Sequence, residues 1–271
     1  MAKISVAAKK KYFDKIKEYK KIVNSILERE KKILALIKQD EKTANYKRLT
    51  LSDENLNIAS YLLLMNNLSL SLLGVRSEEY LNDARKSIYK SIIYLEEIVT
   101  SSVDSSFSEY EERLATIESF DDVSRYHLVQ KLGFTVFSVE EAYGKNSKWK
   151  WSFVELEGRF TVVVKNLVSF KAILGRLSPH VPGYDERRAH LDLVLEMLKL
   201  SSTRYREKYE LSTLRIDDMK TGIQLLQALK RVQILLGEKE EIEVTKRKID
   251  VWSQKMEADL KKKEAESPRL S

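Results

Sequence analysis

Between Glu54 and Arg76 the chain runs for twenty-one residues without a charge, NLNIASYLLLMNNLSLSLLGV, although 33% of all its residues are charged. As a helix, that stretch is long enough to cross a bilayer. Its composition argues for a different role. Asn55, Asn57, Asn66 and Asn67, with Ser60, Ser69 and Ser71, bring too many polar groups for contact with lipid. Ser60, Asn67, Ser71 and Gly74 recur at helical spacing as a narrow stripe of small and polar residues. Leucines, Ile58, Tyr61 and Met65 cover the other faces. A helix apolar nearly all round is buried in protein. The expectation is a central core helix with no transmembrane segment, the other helices wrapped on it.

The rest of the chain reads as helix too. Eight Gly and three Pro (Pro179, Pro182 and Pro268) leave few breaks, and 43% hydrophobic content can fill a core. The fold class expected is all-α: an elongated bundle of about seven or eight long helices in antiparallel hairpins. Helical, coiled-coil-like arms are expected at both ends. The divisions are a basic heptad arm over 1–39, a bundle core over 40–237, and a charged helical arm with a frayed tail over 238–271. No internal repeat stands out.

Residues 3–39 predict one helix roughly 55 Å long at 1.5 Å per residue. Tyr12, Tyr19, Ile26 and Ile33 are seven apart, and Ile16, Val23, Glu30 and Ile37 form the companion series, with Glu30 as its one polar fault. Lys9, Lys10, Lys11 and Lys15 lie outside the seam. Two readings stay open: an arm folded on the chain's own core, or a seam for self-association or an acidic partner.

Asp40–Leu51 reads as a polar turn, with Ser52 or Asp53 capping the central helix and Gly74 ending it. A third helix follows, with Leu81, Ala84, Ile88, Ile92, Leu95 and Val99 as its core face. Phe107, Tyr110, Leu114 and Ile117 mark a short helix. Asp121 and Asp122 open another, with Val123, Tyr126, Phe134, Phe137 and Val139 set for burial. Gly144 to Ser147 end it. From Trp149 to Leu177 one helix is expected, with Phe153, Phe160, Leu167 and Leu174 alternating with Leu156, Val163, Phe170 and Leu177. SPHVPGY turns into a helix carrying Leu191, Val194, Leu198 and Tyr205. A weak break near Ser212 precedes the Ile216–Leu236 helix. The last helix, about 239–264, keeps only Ile242, Ile249 and Met256 in heptad spacing, with Trp252 beside them as an exposed aromatic.

Chemistry is sparsely signalled. No cysteine is present, so disulfides and thiolate sites are excluded. Glycine-rich phosphate loops and HExxH are missing. The three histidines, His127, His180 and His190, form no Glu-x-x-His unit. Glu186 and His190 read as a surface pair, Asp121 and Asp122 as first-turn residues, and Ser178, His180 and Asp185 as a turn with no triad. No cofactor is expected. The start lacks an apolar core with a cleavage site, which predicts a cytoplasmic chain, although a mature exported chain fits the same start.

Charge is segregated: net +9 over 1–49, −9 over 50–144 and +7 over 145–271. Such fields steer association and register. The function expected is a non-enzymatic scaffold or assembly subunit that contacts protein partners or its own copies. Its candidate contacts are Tyr12, Tyr19, Ile26, Ile33, Trp149, Trp151, Ile242, Ile249, Trp252 and Met256. The alternative is a basic module for nucleic acid or anionic membrane, using Lys9, Lys10, Lys11 and Lys15.

Overall fold

The computed structural model describes residues 4–144 and 147–266. Ten α-helices and one π-helical turn form its regular structure, with no strand among the described residues. Eight of the helices are long, so the chain is the all-α bundle that the sequence predicts.

The central hairpin pairs α2 (Ala44–Leu73) with α3 (Glu78–Val99). Gly74 turns the chain between them in the left-handed region, φ 67°, and its N–H reaches the Leu70 carbonyl at 3.0 Å. All six core residues predicted for α3 are buried. α2 begins earlier than expected, at Ala44. Its polar first turns are held by partners distant in sequence: Asn45 donates to the Thr116 hydroxyl, and the Tyr46 hydroxyl accepts from the Ser119 N–H. Ser52 is therefore no cap. It is buried in mid-helix, 2.8 Å from the Ser91 hydroxyl.

α1 (Val6–Gln39) lies on α2. Tyr12, Ile16, Val23 and Ile26 of the heptad seam are buried there. Glu30, the fault in the heptad, fixes the register. It is only 4% exposed and accepts hydrogen bonds from the Tyr94 hydroxyl (2.8 Å), Asn55 Nδ2 (3.1 Å) and Lys90 Nζ (3.2 Å). One carboxylate thus ties α1 to both α2 and α3. Burial pushes its pKa up, but the three hydrogen bonds outweigh burial and hold it below the usual glutamate range. Glu30→Ala leaves the half-buried Tyr94 hydroxyl without its acceptor and takes one of two acceptors from Asn55, an expected loss of about 1–3 kcal/mol in urea unfolding. Because the folded pKa lies below the unfolded one, this contribution is present above the ordinary glutamate pKa and fades as pH falls through the folded value. Glu30→Gln is expected to reduce the loss of stability on acidification.

After a short α4 (Phe107–Ala115), α5 (Asp122–Tyr143) packs against α2 and α3. Asp121 caps it by accepting from the Ser124 N–H at 2.8 Å. Asp122 holds Arg125 and Arg187 at 3.1 and 3.3 Å. The Tyr110 side chain, Lys145, Asn146 and the tail from 267 lie outside the described residues, as do the expectations placed on them.

The second half joins α6 (Lys150–Asn166), α8 (Tyr184–Lys208), α9 (Ile216–Leu236) and α10 (Lys239–Glu266). The single helix expected over Trp149–Leu177 is broken. Asn166 ends α6 by donating to the Thr100 and Ser102 carbonyls at 3.0 and 3.2 Å, and Ser169 caps a short α7 (Phe170–Leu174). These side-chain bonds compete with helix continuation, and the preceding Thr161–Val164 run is β-branched, a weak helix former. The apolar seam survives the break as far as Phe170; Leu174 is exposed. Near Ser212 the chain makes a π-helical turn, Tyr209–Thr213, and reverses at Leu214 with φ 50°.

α10 lies along α9. Trp252, expected to be exposed, is 5% exposed and packs in the core, where it faces Gly222 of α9. The Arg206 guanidinium of α8 lies 5.3 Å from the ring centre, and sparse heptad spacing on α10 reveals neither neighbour. The Tyr209 hydroxyl donates to Asp259 at 2.6 Å and anchors the far end of α10.

Candidate interaction surface

α2 has sides covered by α1, α3 and α5. What remains open is the stripe that the sequence marks as small and polar. Asn67, Ser71 and Gly74 are exposed and Ser60 is half-buried, with Leu64 and Leu70 exposed beside them. The prediction of a helix buried nearly all round is thus corrected: one face is open and carries no charge. By length and composition alone α2 could cross a membrane. Two of its polar side chains bond to neighbouring helices, Ser52 to Ser91 and Asn55 to Glu30.

α5 continues this open face. His127, Gln130, Phe134, Phe137 and Glu141 stand exposed at alternating spacings of three and four. Leu128, Val129, Leu132, Val136 and Val139 turn inward. The expectation that Phe134 and Phe137 are buried is corrected, since Phe134 is 74% and Phe137 37% exposed. The core side of α5 is already filled from below. A Cβ at Gly133 would stand 2.9 Å from Phe160 Cζ, so glycine lets that ring approach closely. Phe160 also meets Phe137 edge-on, with centroids 6.3 Å apart.

Between α2 and α5 lies a groove of about 530 Å³, flanked by Leu63, Leu64, Asn67, Phe134, Ser138 and Ala142. Glu141 is the one charged residue in its lining. At the other end Lys131 is tied to Asp53 at 2.5 Å and to Asn57 at 3.0 Å. A face with two phenylalanines beside a groove that holds a single charged residue, in a chain this rich in charge, has the make-up of a contact surface.

The residues singled out from the sequence are placed differently. Tyr12, Ile26, Ile249 and Trp252 are buried within the fold, and Tyr19, Ile33, Ile242 and Met256 are half-buried. Trp149 and Trp151 are half-buried. Trp149 sits under the Arg85 guanidinium, 4.3 Å from its ring centre, and Trp151 under Lys150 at 4.6 Å. Lys9, Lys10, Lys11 and Lys15 are exposed, and Lys15 pairs with Glu18 at 2.9 Å. No group from either set converges on the α2/α5 groove. Sequence reasoning missed the groove because Phe134 and Phe137 were assigned to the core. The signal for it was the uncharged stripe on α2.

Buried ionisable groups gather between α6 and α8. Glu157 is wholly buried, and Arg204 binds both it and Glu140, the latter at 2.8 Å. Burial and the neighbouring Glu140, opposed by Arg204, push Glu157 up to about 8. Burial also takes Lys165 down to about 8 and His190 down to about 4. His190 is thus no surface partner of Glu186: it is 2% exposed and donates through Nε2 to the Val164 carbonyl at 3.0 Å. No group of three or more His, Cys, Asp or Glu suited to a metal ion occurs among the described residues. The paired groups on α6 and α8 bind one another, which accounts for them as internal bracing.

Comparison with curated proteins and with solved structures returns no match. The model of one family, described as the TP0443 family, matches residues 8–260, which takes in nearly all of α1 and most of α10. With that span covered, the chain belongs to the TP0443 family.

Proposed function

We propose that this protein is a non-enzymatic helical assembly subunit, a scaffold that joins a larger particle through the α2/α5 face. The observation that carries this reading is the uncharged outer stripe of α2, flanked by the exposed rings of Phe134 and Phe137. Exposed apolar surface at a groove is costly in isolation and is repaid when a partner covers it. Rigid packing from beneath, through Phe160 and Gly133, favours a preorganised contact. The basic arm offers less support for an anionic partner, because the acids Asp14 and Glu18 stand exposed among its lysines.

Phe134→Glu places a charge on the centre of the face without touching the core. In native-size separation of a lysate from the cells that make the protein, the wild type is expected to run in a particle larger than the monomer. The variant is expected to run as the monomer, with an unchanged thermal melt.

A further inference from the structure

We propose that the partner covering the α2/α5 face is a second copy of this chain, with the two α5 helices crossing antiparallel about a two-fold axis midway between Phe134 and Phe137. This deepens the assembly reading and rests on it.

The exposed residues of α5 have the spacing of a coiled-coil seam: His127, Gln130, Phe134, Phe137 and Glu141. The seam is nearly palindromic about its centre. Antiparallel pairing sets Phe134 against Phe137 of the other copy, so aromatic meets aromatic. The same register sets the Gln130 amide, a donor, against the Glu141 carboxylate, an acceptor. Parallel pairing would instead put Glu141 against Glu141, where like charges repel.

A two-fold interface must carry both halves of each contact on one patch. Here a knob and a hole lie side by side: Phe134, 74% exposed, stands at the edge of the groove of about 530 Å³. The ring of one copy can enter the groove of the other, and the reverse contact forms by symmetry. Charge does not stand in the way, although residues 50–144 carry a net −9. The other acids of α2 and α5 are matched within the chain: Asp53 by Lys131, Glu54 by Arg29, Asp122 by Arg125 and Glu140 by Arg204. Each copy therefore brings one seam carboxylate, Glu141, and the opposed Gln130 receives it.

The chain contains no cysteine, so introduced thiols report alone. Full-length Gln130→Cys and Glu141→Cys proteins are mixed and oxidised mildly. The disulfide expected is the mixed dimer, because positions 130 and 141 face each other. Each variant alone should cross-link poorly, since its two thiols lie about 16 Å apart along the pair at 1.5 Å per residue. Adding Phe134→Glu to both proteins should abolish the mixed dimer. Two results would overturn the proposal: cross-linking within each variant as efficient as in the mixture, or a wild type that stays monomeric in light scattering at high concentration with no mixed dimer. If either occurs while Phe134→Glu still releases the protein from its native particle, another polypeptide fills the groove and the assembly reading stands. If Phe134→Glu leaves the native particle intact, the assembly reading itself fails.

Discussion

Arg204→Met is expected to cost about 3–5 kcal/mol in urea unfolding at pH 9 and much less at pH 6. Arg204 is the cation that Glu140 and the wholly buried Glu157 share. Above pH 8 the Glu157 carboxylate is charged, and removing the guanidinium leaves that buried charge without its cation. At pH 6 Glu157 holds its proton, because burial and Glu140 push its pKa up to about 8, so less charge is left uncompensated. The wild type has its own slope from the same cause. Between the unfolded value, about 4.3, and the folded value the native state binds the extra proton, so stability falls as pH rises through that window. Glu157→Gln removes the titration and should flatten that fall. An Arg204→Met penalty equal at both pH values would contradict a shared cation.

Phe160→Ala is expected to lower stability by about 3–5 kcal/mol, the usual range for deleting a fully buried aromatic, or roughly 10 °C in melting temperature for a chain of this size. Phe160 is wholly buried, lies against Gly133 and meets Phe137 edge-on. The cavity left by the ring lies under α5 at the middle of the proposed contact face. Phe160→Ala should therefore weaken assembly along with stability, whereas Phe134→Glu should weaken assembly alone. Calorimetric melts and native-size separation on the two variants separate these effects. An unchanged melt for Phe160→Ala would mean that α5 is not seated on this ring.

The architecture was legible where periodicity was strong and glycine marked the ends. α3 and α9 show this, as do the turns at Gly74 and Gly237, both with positive φ. The errors share a cause: side chains that act on residues far away in sequence. Asn45 and Tyr46 make the first turns of α2 look like a loop, because their partners, Thr116 and Ser119, are some seventy positions on. Asn166 ends α6 by reaching back to the Thr100–Ser102 loop. Trp252 looked exposed because its cover comes from other elements, Gly222 of α9 beside the ring and the Arg206 guanidinium of α8 at 5.3 Å from its centre.

The contact face was half legible. The uncharged stripe of α2 was plain in the sequence, and so was its small, polar character. Which side of it remained open depends on where α1, α3 and α5 come to lie, and no local pattern states that. Phe134 and Phe137 were assigned inward because aromatics usually are. Their three-four spacing with Gln130 and Glu141 fits a second seam on the opposite side of α5, which only the observed packing separates from the first.

Native-size separation of wild type, Phe134→Glu and Phe13→Glu tests the central claim most directly. Phe13 is 64% exposed but lies on the lysine-rich surface of α1, away from the groove. The prediction is that Phe134→Glu runs as a monomer while Phe13→Glu keeps the wild-type size. Equal behaviour of the two variants, both assembled or both released, would contradict a contact made through the α2/α5 face.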